Sequence, residues 1–398
     1  MKIRTFLLML LVPMLFVCCE KSGGNGNENG NNQEQLDPDT GQPLVKDGAV
    51  LLVTNAQMEK FITDVTDYQA KSWNVTHILD EPYQPTAPGN GQDVPPKFTI
   101  RWEPDPSAGD VVVRLWEDDG WSRTYDVDVV ENSYVSISNL RPNANYHYEA
   151  KAGTKVLTSG SFTTTGHIHQ VMFSSIRNAR DLGGWKTKDG KTVKYRMIYR
   201  GGRMEGAEIR AKGKRDLKAE GIKAQIDLRG HTSQGVQEYL DKDKSPLNGL
   251  VENYEFLAPC IEEGYTWMLT DFSEQTKQVM EFIMKCVREN KPVYFHCSLG
   301  RDRTGTTALL VLGLLGVDEA DISKEYELTQ FAPTGYSVCT GESTKMTRLS
   351  GSPDYWRAAD FIWKKAGTGS FADGVETYLL SLGIAKADID EFRSLMLE

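Results

Sequence analysis

The ten residues His296-Cys-Ser-Leu-Gly-Arg-Asp-Arg-Thr-Gly305 decide how the C-terminal half of this chain is read. Cys297 and Arg303 are separated by five residues. Before them, Lys291 to Phe295 reads as a short buried strand; after them, the apolar run Thr304 to Leu315 reads as a helix. A strand, a tight loop containing Gly300 and a helix N-terminus together make an anion cradle, because successive backbone N–H groups point inward and the helix dipole adds positive potential. A thiol in such a cradle ionises readily, since helix N-termini and neighbouring cations lower a cysteine pKa. The thiolate can then attack a phosphorus atom held by the Arg303 guanidinium.

Around this motif, residues 166–398 alternate between helical and strand patterns. Met197 to Arg200 is extended, Glu208 to Glu220 is helical with Gly221 as a stop signal, and Ile222 to Arg229 and Glu252 to Leu257 are strands. Phe272 to Val287 is an amphipathic helix with Phe272, Val279, Met280, Ile283 and Val287 on one face. This alternation predicts an α/β domain, a mostly parallel sheet flanked by helices, with its site in the loops at the C-terminal strand ends. The apolar stretch Leu309 to Leu315 is too short to span a bilayer and reads as buried.

Upstream, residues 72–165 read as an all-β sandwich, with strands at Phe98–Trp102, Val111–Trp116, Tyr125–Val130 and Tyr134–Ile137 separated by turn residues. Leu140 and Tyr146, six residues apart ahead of a strand, look like the tyrosine corner of fibronectin type III and immunoglobulin-like domains. Ser159 to Gly166 suits the last strand of such a domain, and Trp102 and Trp116 read as core aromatics. A sandwich of this kind binds protein or carbohydrate or acts as a spacer, and spacer is the default. Residues 46–71 fit neither helix nor strand clearly.

At the N-terminus, Lys2 and Arg4 precede an apolar run, Phe6 to Val17, that ends at Cys18-Cys19. Residues 1–18 read as a lipoprotein signal peptide with Cys19 as the lipidated residue, and residues 19–45 as a disordered tether, since Ser22 to Gln35 is mostly Gly, Asn and Glu. This predicts an extracytoplasmic lipoprotein, periplasmic-facing or on the cell surface, held to a membrane by its N-terminal lipid. The 398 residues suffice for two or three domains, and a net charge of −10 argues against nonspecific nucleic-acid binding. Of the four remaining cysteines, Cys286 falls on the apolar helix face, while Cys260 and Cys339 fall in loops. Their spacing suggests neither a zinc site nor a disulfide framework, although a reversible partner for Cys297 would suit an oxidising compartment.

The loop resembles the signature of the cysteine-dependent protein tyrosine phosphatase superfamily, HC-x5-R-[ST], at His296, Cys297, Gly300, Arg303, Thr304 and Gly305. Rhodaneses and arsenate reductases share the Cys–Arg spacing, but the Arg-Thr-Gly ending favours phosphatases. A narrower resemblance, to an atypical bacterial tyrosine/lipid phosphatase family, rests on Asn178-Ala-Arg-Asp-Leu-Gly-Gly184, Thr187-Lys-Asp-Gly190, Ile198-Tyr-Arg-Gly-Gly-Arg203 and Asp227-Leu-Arg229. It includes that family's loop, HCxxGKDRTG, with Arg301 in the Lys position, and closing helices near Asp318–Leu328 and Ala372–Leu397. The likeness covers nearly all of 170–398 and nothing before it. It implies action on phosphotyrosine and, in some members, on phosphoserine, phosphothreonine and phosphoinositides.

These residues take distinct expected roles. Cys297 is the nucleophile and forms a phosphocysteine. Arg303 offers a bidentate fork to the phosphate, and Thr304 donates its hydroxyl to the departing sulfur. His296 either holds the thiolate or orients the loop. Ser298, Leu299 and Gly300 contribute backbone to the phosphate cradle. Arg229 orders the loop or meets substrate, with Asp227 holding it. Arg301 either contacts a neighbouring phosphate or pairs with an acidic neighbour. The sequence has no Trp-Pro-Asp motif; the family uses the Asp within the loop as general acid, here Asp302, whose pKa the substrate dianion must raise. The rival is Asp271, which also suits a cap for the helix from Phe272. No metal or cofactor is required. Three functions follow: a metal-independent phosphomonoesterase, foremost a protein tyrosine phosphatase with dual-specificity or phosphoinositide activity; an inositol-phosphate, phytase-like phosphatase; and a non-catalytic phosphate-binding module. The corresponding partners are a phosphorylated protein, a phosphoinositide or an inositol phosphate.

Overall fold

The computed structural model describes residues 35–64, 94–107, 109–127, 133–173, 176–204, 211–232, 240–332 and 353–398. The signal peptide, Cys19, most of the tether and Cys339 lie outside the described residues.

Among the described residues, seven strands form the N-terminal β unit: β1 (Ala49–Leu52), β2 (Phe98–Arg101), β3 (Val111–Glu117), β4 (Ser122–Val127), β5 (Tyr134–Ile137), β6 (Asn145–Ala152) and β7 (Lys155–Thr165). One sheet runs β1-β7-β6-β3-β4, and β2 pairs antiparallel with β5. In β3 the alternation sends Val111, Val113 and Leu115 into a core shared with Phe98, Ile100, Trp102, Tyr146 and Phe162. The same alternation corrects the expectation for Trp116. It lies half-buried on the outer face, stacked on His147 at 5.5 Å between ring centroids. The Tyr146 hydroxyl accepts a hydrogen bond from the Arg141 N–H at 2.8 Å.

Two N-terminal stretches gain definite structure. The tether does not extend to residue 45: the buried Asp37 carboxylate accepts from the Thr40 amide at 2.9 Å and pairs with Arg101, and the Val45 N–H donates to the Thr99 carbonyl at 2.8 Å. A fixed ion pair and a backbone bond outweigh the Gly- and Pro-rich composition there. Within 46–71, β1 runs parallel to β7, and α1 (Ala56–Asp64) follows, with Asn55 Oδ1 accepting from the Gln57 amide at 3.0 Å as a cap. Helix α1 buries Met58, Phe61 and Ile62 in the core of the C-terminal region, not in that of the β unit.

The C-terminal region comprises β8 (Arg180–Asp181), β9 (Ile198–Gly201), α2 (Ala211–Ala219), β10 (Ala224–Asp227), β11 (Glu255–Leu257), α3 (Tyr265–Leu269), α4 (Ser273–Arg288), β12 (Val293–His296), α5 (Asp302–Leu314), α6 (Glu319–Glu327), α7 (Pro353–Ala366), α8 (Phe371–Ser381) and α9 (Lys386–Met396). Its sheet has the order β11-β10-β12-β9-β8; the first four strands are parallel and β8 is antiparallel to β9. Strands β9, β10 and β12 are buried throughout, as expected of a parallel sheet covered on both faces. Register places Asp227, His296 and Gly201 side by side at the C-terminal strand ends. Helix α4 packs Val279, Met280, Ile283 and Val287 into the core. Among the described residues no helix is long and apolar enough to cross a membrane.

Candidate active site

Strand β12 delivers His296 to the C-terminal end of the sheet, and α5 begins at Asp302, so residues 297–301 form the connecting loop. Gly300 has φ +69°, and a Cβ there would lie 2.4 Å from the Gly201 carbonyl carbon and 2.6 Å from the Gly202 nitrogen. Only glycine permits both the left-handed backbone and this approach. The loop carbonyls are claimed from behind. The Ser298 carbonyl accepts from the Arg203 N–H at 3.3 Å, and the Leu299 and Gly300 carbonyls accept from Asn178 Nδ2 at 3.4 and 2.7 Å. Because C=O and the next N–H point oppositely in a trans peptide, this turns the N–H groups of Leu299, Gly300 and Arg301 toward the front.

A buried ion network backs this arrangement. Arg200 also donates to the Gly300 carbonyl and, at 2.7 Å, to Glu325 Oε2. Arg180 donates to Glu325 Oε1 at 2.8 Å and to the Glu325 carbonyl at 2.7 Å, and its Nη1 meets Asn178 Oδ1 at 2.5 Å. Asn178, Arg180, Arg200 and Glu325 are all buried. The sequence flagged the first three within family motifs without assigning them this work. Glu325 carried no signal, being one charge in a helix of many.

Cys297 is 2% exposed. Burial pushes its thiol up, but the Arg303 guanidinium and the Thr304 hydroxyl and amide pull it further down, so the net position is below the ordinary thiol value. Asp302 opposes them as a nearby negative charge. The Thr304 hydroxyl is buried and has no hydrogen-bond partner of ordinary geometry among the described residues. Arg303 Nη1 donates to the Ile261 carbonyl at 2.9 Å. Buried His296 places Nδ1 3.2 Å from the Cys297 carbonyl and Nε2 2.9 Å from Gln225 Nε2. Arg229 is buried and clamped by Asp227, Nε to Oδ1 at 2.9 Å and Nη2 to Oδ2 at 2.6 Å.

The two candidate acids lie in different settings. Asp302 Oδ1 accepts from Arg301 Nε at 2.7 Å and from the Tyr265 hydroxyl, and Oδ2 accepts from Arg301 Nη2 at 3.1 Å. Asp271 is exposed, accepts from the Thr270 hydroxyl at 2.7 Å, and lines a surface cavity of ≈380 Å³ with Trp267, Asp354 and Lys364. None of residues 296–305 lines that cavity. Nor does Asp271 cap α4: the N-cap position falls on Phe272, without a side-chain bond. Tyr265 was not legible as a site residue, because a five-residue helix has too little periodicity to mark which side chain turns inward.

Residues 171–398 match the family described as "Tyrosine phosphatase family". A provisionally named tyrosine-protein phosphatase of Cupriavidus necator is 27% identical over 171 residues, covering 40% of this chain and 62% of that protein. A tyrosine-protein phosphatase of Nostoc commune is 27% identical over 198 residues, covering 44% of this chain and 67% of that protein. The chain therefore spans about two thirds of the length of these relatives. Among solved structures, P. aeruginosa TpbA aligns at 17% identity over 49% of this chain and 91% of its own, with a TM-score of 0.30. The core catalytic domain of the PP-IP phosphatase SIW14 from S. cerevisiae aligns at 16% identity over 40% and 88%, with a TM-score of 0.25. At those scores neither structure bears on the fold. The family match runs over more than half of the chain and ends at its last residue, with Cys297, Arg303 and Thr304 inside it, and on that ground this protein belongs to the tyrosine phosphatase family.

Proposed function

We propose that the protein is a metal-independent phosphomonoesterase working through a phosphocysteine. The observation that carries this reading is the buried Cys297 thiol, held below its ordinary pKa by Arg303 and Thr304 at the mouth of a strand–loop–helix cradle. The Cys297 thiolate attacks phosphorus while Arg303 and the loop N–H groups hold the phosphate oxygens, and Asp302 protonates the departing oxygen. Water then attacks the phosphocysteine, Asp302 takes its proton, and the Thr304 hydroxyl donates to the departing sulfur. His296 orients the loop through the Cys297 carbonyl, and Arg229, fixed by Asp227, orders the neighbouring strand end.

Phosphotyrosine is the proposed substrate, with dual-specificity or phosphoinositide activity beside it. A second reading, inositol phosphates as substrates, draws support from Arg301, whose Nη1 is buried without a hydrogen-bond partner among the described residues. Hydrolysis of p-nitrophenyl phosphate in EDTA tests the chemistry: no turnover by the purified protein would leave only a phosphate-binding module. Rates on phosphotyrosine peptides, phosphoinositides and inositol hexakisphosphate then rank the substrates. The β unit is assigned as a fibronectin type III or immunoglobulin-like domain, supported by the Tyr146–Arg141 corner bond. The N-terminal run ending at Cys18-Cys19 supports an extracytoplasmic, membrane-anchored lipoprotein, for which mass spectrometry of the mature N-terminus is the test: an unmodified terminus beyond Cys19 would overturn it.

A further inference from the structure

Tyr265 enters α3 with φ +56°, a left-handed backbone that a tyrosine adopts only when its surroundings impose it. The imposing contacts are on both sides. Gly264 lies against the start of α5: a Cβ there would sit 3.1 Å from the Arg303 nitrogen and 3.2 Å from the Asp302 Cβ. The Tyr265 N–H donates to Thr306 Oγ1 at 2.9 Å, and that hydroxyl donates to the Asp302 carbonyl at 3.0 Å. The Tyr265 ring meets Tyr355 edge-on at 6.5 Å, and Tyr355 stacks on Tyr326 at 3.7 Å between centroids. The Tyr326 hydroxyl lies 3.0 Å from the Tyr265 hydroxyl. Gly305 leaves the room: a Cβ there would stand 2.8 Å from the Tyr326 ring. Backbone strain, a hydroxyl bridge and an aromatic stack thus converge to place one phenol oxygen against one oxygen of Asp302.

We infer that Tyr265 is a positioning residue for proton transfer by Asp302, a proposal that rests on Asp302 as the general acid. The Tyr265 hydroxyl, backed by Tyr326, holds Oδ1, which leaves Oδ2 to carry the proton. Among the described residues Oδ2 has one contact, the longer one, 3.1 Å to Arg301 Nη2, and is the less firmly held of the two oxygens. In the first step the Sγ–P bond forms and the P–O bond breaks, its electron pair going to the leaving oxygen. That oxygen takes the proton from Oδ2. Tyr265 keeps its own proton throughout: burial pushes its phenol far above the ordinary value, and Tyr326 and Asp302 push the same way. Without the phenol the carboxyl group can turn about its side-chain bonds, and the proton is presented less often along the line of the breaking bond.

The test uses the full-length protein and two substrates, an alkyl phosphate with a poor leaving group and p-nitrophenyl phosphate, which needs little protonation. Tyr265→Phe keeps the ring and removes only the hydroxyl. The alkyl-to-aryl ratio of kcat is expected to fall about 10-fold, part of the roughly 10²–10⁴-fold that general acid catalysis supplies, with KM moving little. In an Asp302→Asn background, Tyr265→Phe should change that ratio no further, because both substitutions act through one proton. Tyr326→Phe, which removes the backing hydroxyl, should show the same pattern more weakly, and it serves as the reporter if Tyr265→Phe does not fold. Equal losses on both substrates, or additive losses in the Asp302→Asn background, would assign Tyr265 a purely structural role and overturn the proposal while Asp302 stands. An Asp302→Asn variant with no leaving-group dependence would overturn the acid assignment itself, and this inference with it.

Discussion

Gly300 in the loop and Asp302 at the start of α5 stand two residues apart, yet they are held by different means. Behind Gly300, Asn178 and Arg200 meet its carbonyl, and Glu325 fixes Arg200 and Arg180, all of them buried. In front, Asp302 is held by Arg301, with side chains 29% and 18% exposed, and by the Tyr265 hydroxyl. Breaking a buried ion network strands charge in low dielectric and costs roughly 3–5 kcal/mol, whereas a part-exposed ion pair is worth about 0–1 kcal/mol. The rear of the loop must therefore stay as it is, and the front can exchange partners for substrate. A nucleophile gains from fixed surroundings. The proposed acid, which would bind and release a proton in each turnover, gains from replaceable ones.

Substitution at Cys297 has the largest expected effect, because it removes the proposed nucleophile and leaves the cradle. Cys297→Ser should lose turnover to background yet still bind phosphate, a competitive product, in calorimetry. Appreciable hydrolysis by a clean Cys297→Ser protein would sink the covalent step. Thiol reactivity sharpens the point. Cys297 is held below the ordinary thiol pKa, about 8.5, whereas burial pushes Cys286 up to about 12 and Cys260 also upward. Iodoacetate should thus inactivate at a pH below the ordinary thiol range, with the label on Cys297 and protection by phosphate. In linkage terms a depressed folded-state pKa contributes stability that is present above the unfolded thiol's value and lost as pH falls through the folded one. The pH profile of inactivation should follow that lower value.

At the front of the loop, Asp302→Asn should slow poor leaving groups roughly 10²- to 10⁴-fold and aryl phosphates far less. Should Asp271→Asn show this pattern in its place, the exposed groove near Trp267 would have to move against the loop, and the contrast between a fixed rear and an exchangeable front would be misdrawn.

At the rear, Glu325→Ala removes the buried carboxylate that Arg180 and Arg200 share. Chemical denaturation should register roughly 3–5 kcal/mol of lost stability, and kcat should fall with it on aryl and alkyl phosphates alike, since the Gly300 peptide loses its backing. A loss under about 1 kcal/mol, the range of an exposed pair, would mean that the rear is no more rigid than the front.

The two halves were also unequally legible in the sequence. The strand, the glycine turn and the Cys–Arg spacing sit within one short stretch, where local pattern and local chemistry agree. The rear depends on contacts between residues 100 or more positions apart, Arg200 and Asn178 to Gly300, and 145 apart, Arg180 to Glu325. No periodicity records such pairings; the motifs around Asn178 and Ile198 marked the residues through family likeness but not their work. Trp116 and residues 36–45 were misjudged for a related reason: a strand's inward face and the docking of Asp37 on Arg101 are settled by partners distant in the chain. Helix α1 has only nine residues, and it buries Met58, Phe61 and Ile62 in a core supplied by residues that come more than a hundred positions later.

The smallest expected effect belongs to Arg301, and it tests the exchangeable half most directly. Its guanidinium is committed to Asp302 through Nε and Nη2, while Nη1 is buried without a hydrogen-bond partner among the described residues. A substrate with one phosphate offers Arg301 little beyond what Arg303 and the loop amides already hold. A substrate with a second phosphate nearby offers it a dianion, which competes with Asp302 and leaves that carboxyl group able to carry its proton. Arg301→Ala removes both the extra cation and the restraint on Asp302. Its kcat/KM on a phosphotyrosine peptide should change within about threefold, and on an inositol substrate with several phosphates it should fall about 10-fold, the effect of losing one charge-assisted hydrogen bond of about 1.5–3 kcal/mol discounted for exposure. High salt should narrow the gap between the two substrates in the unaltered protein, because part-exposed charge is screened. Equal losses on both would show that Arg301 serves only to shape the loop, and the front would then be as fixed as the rear.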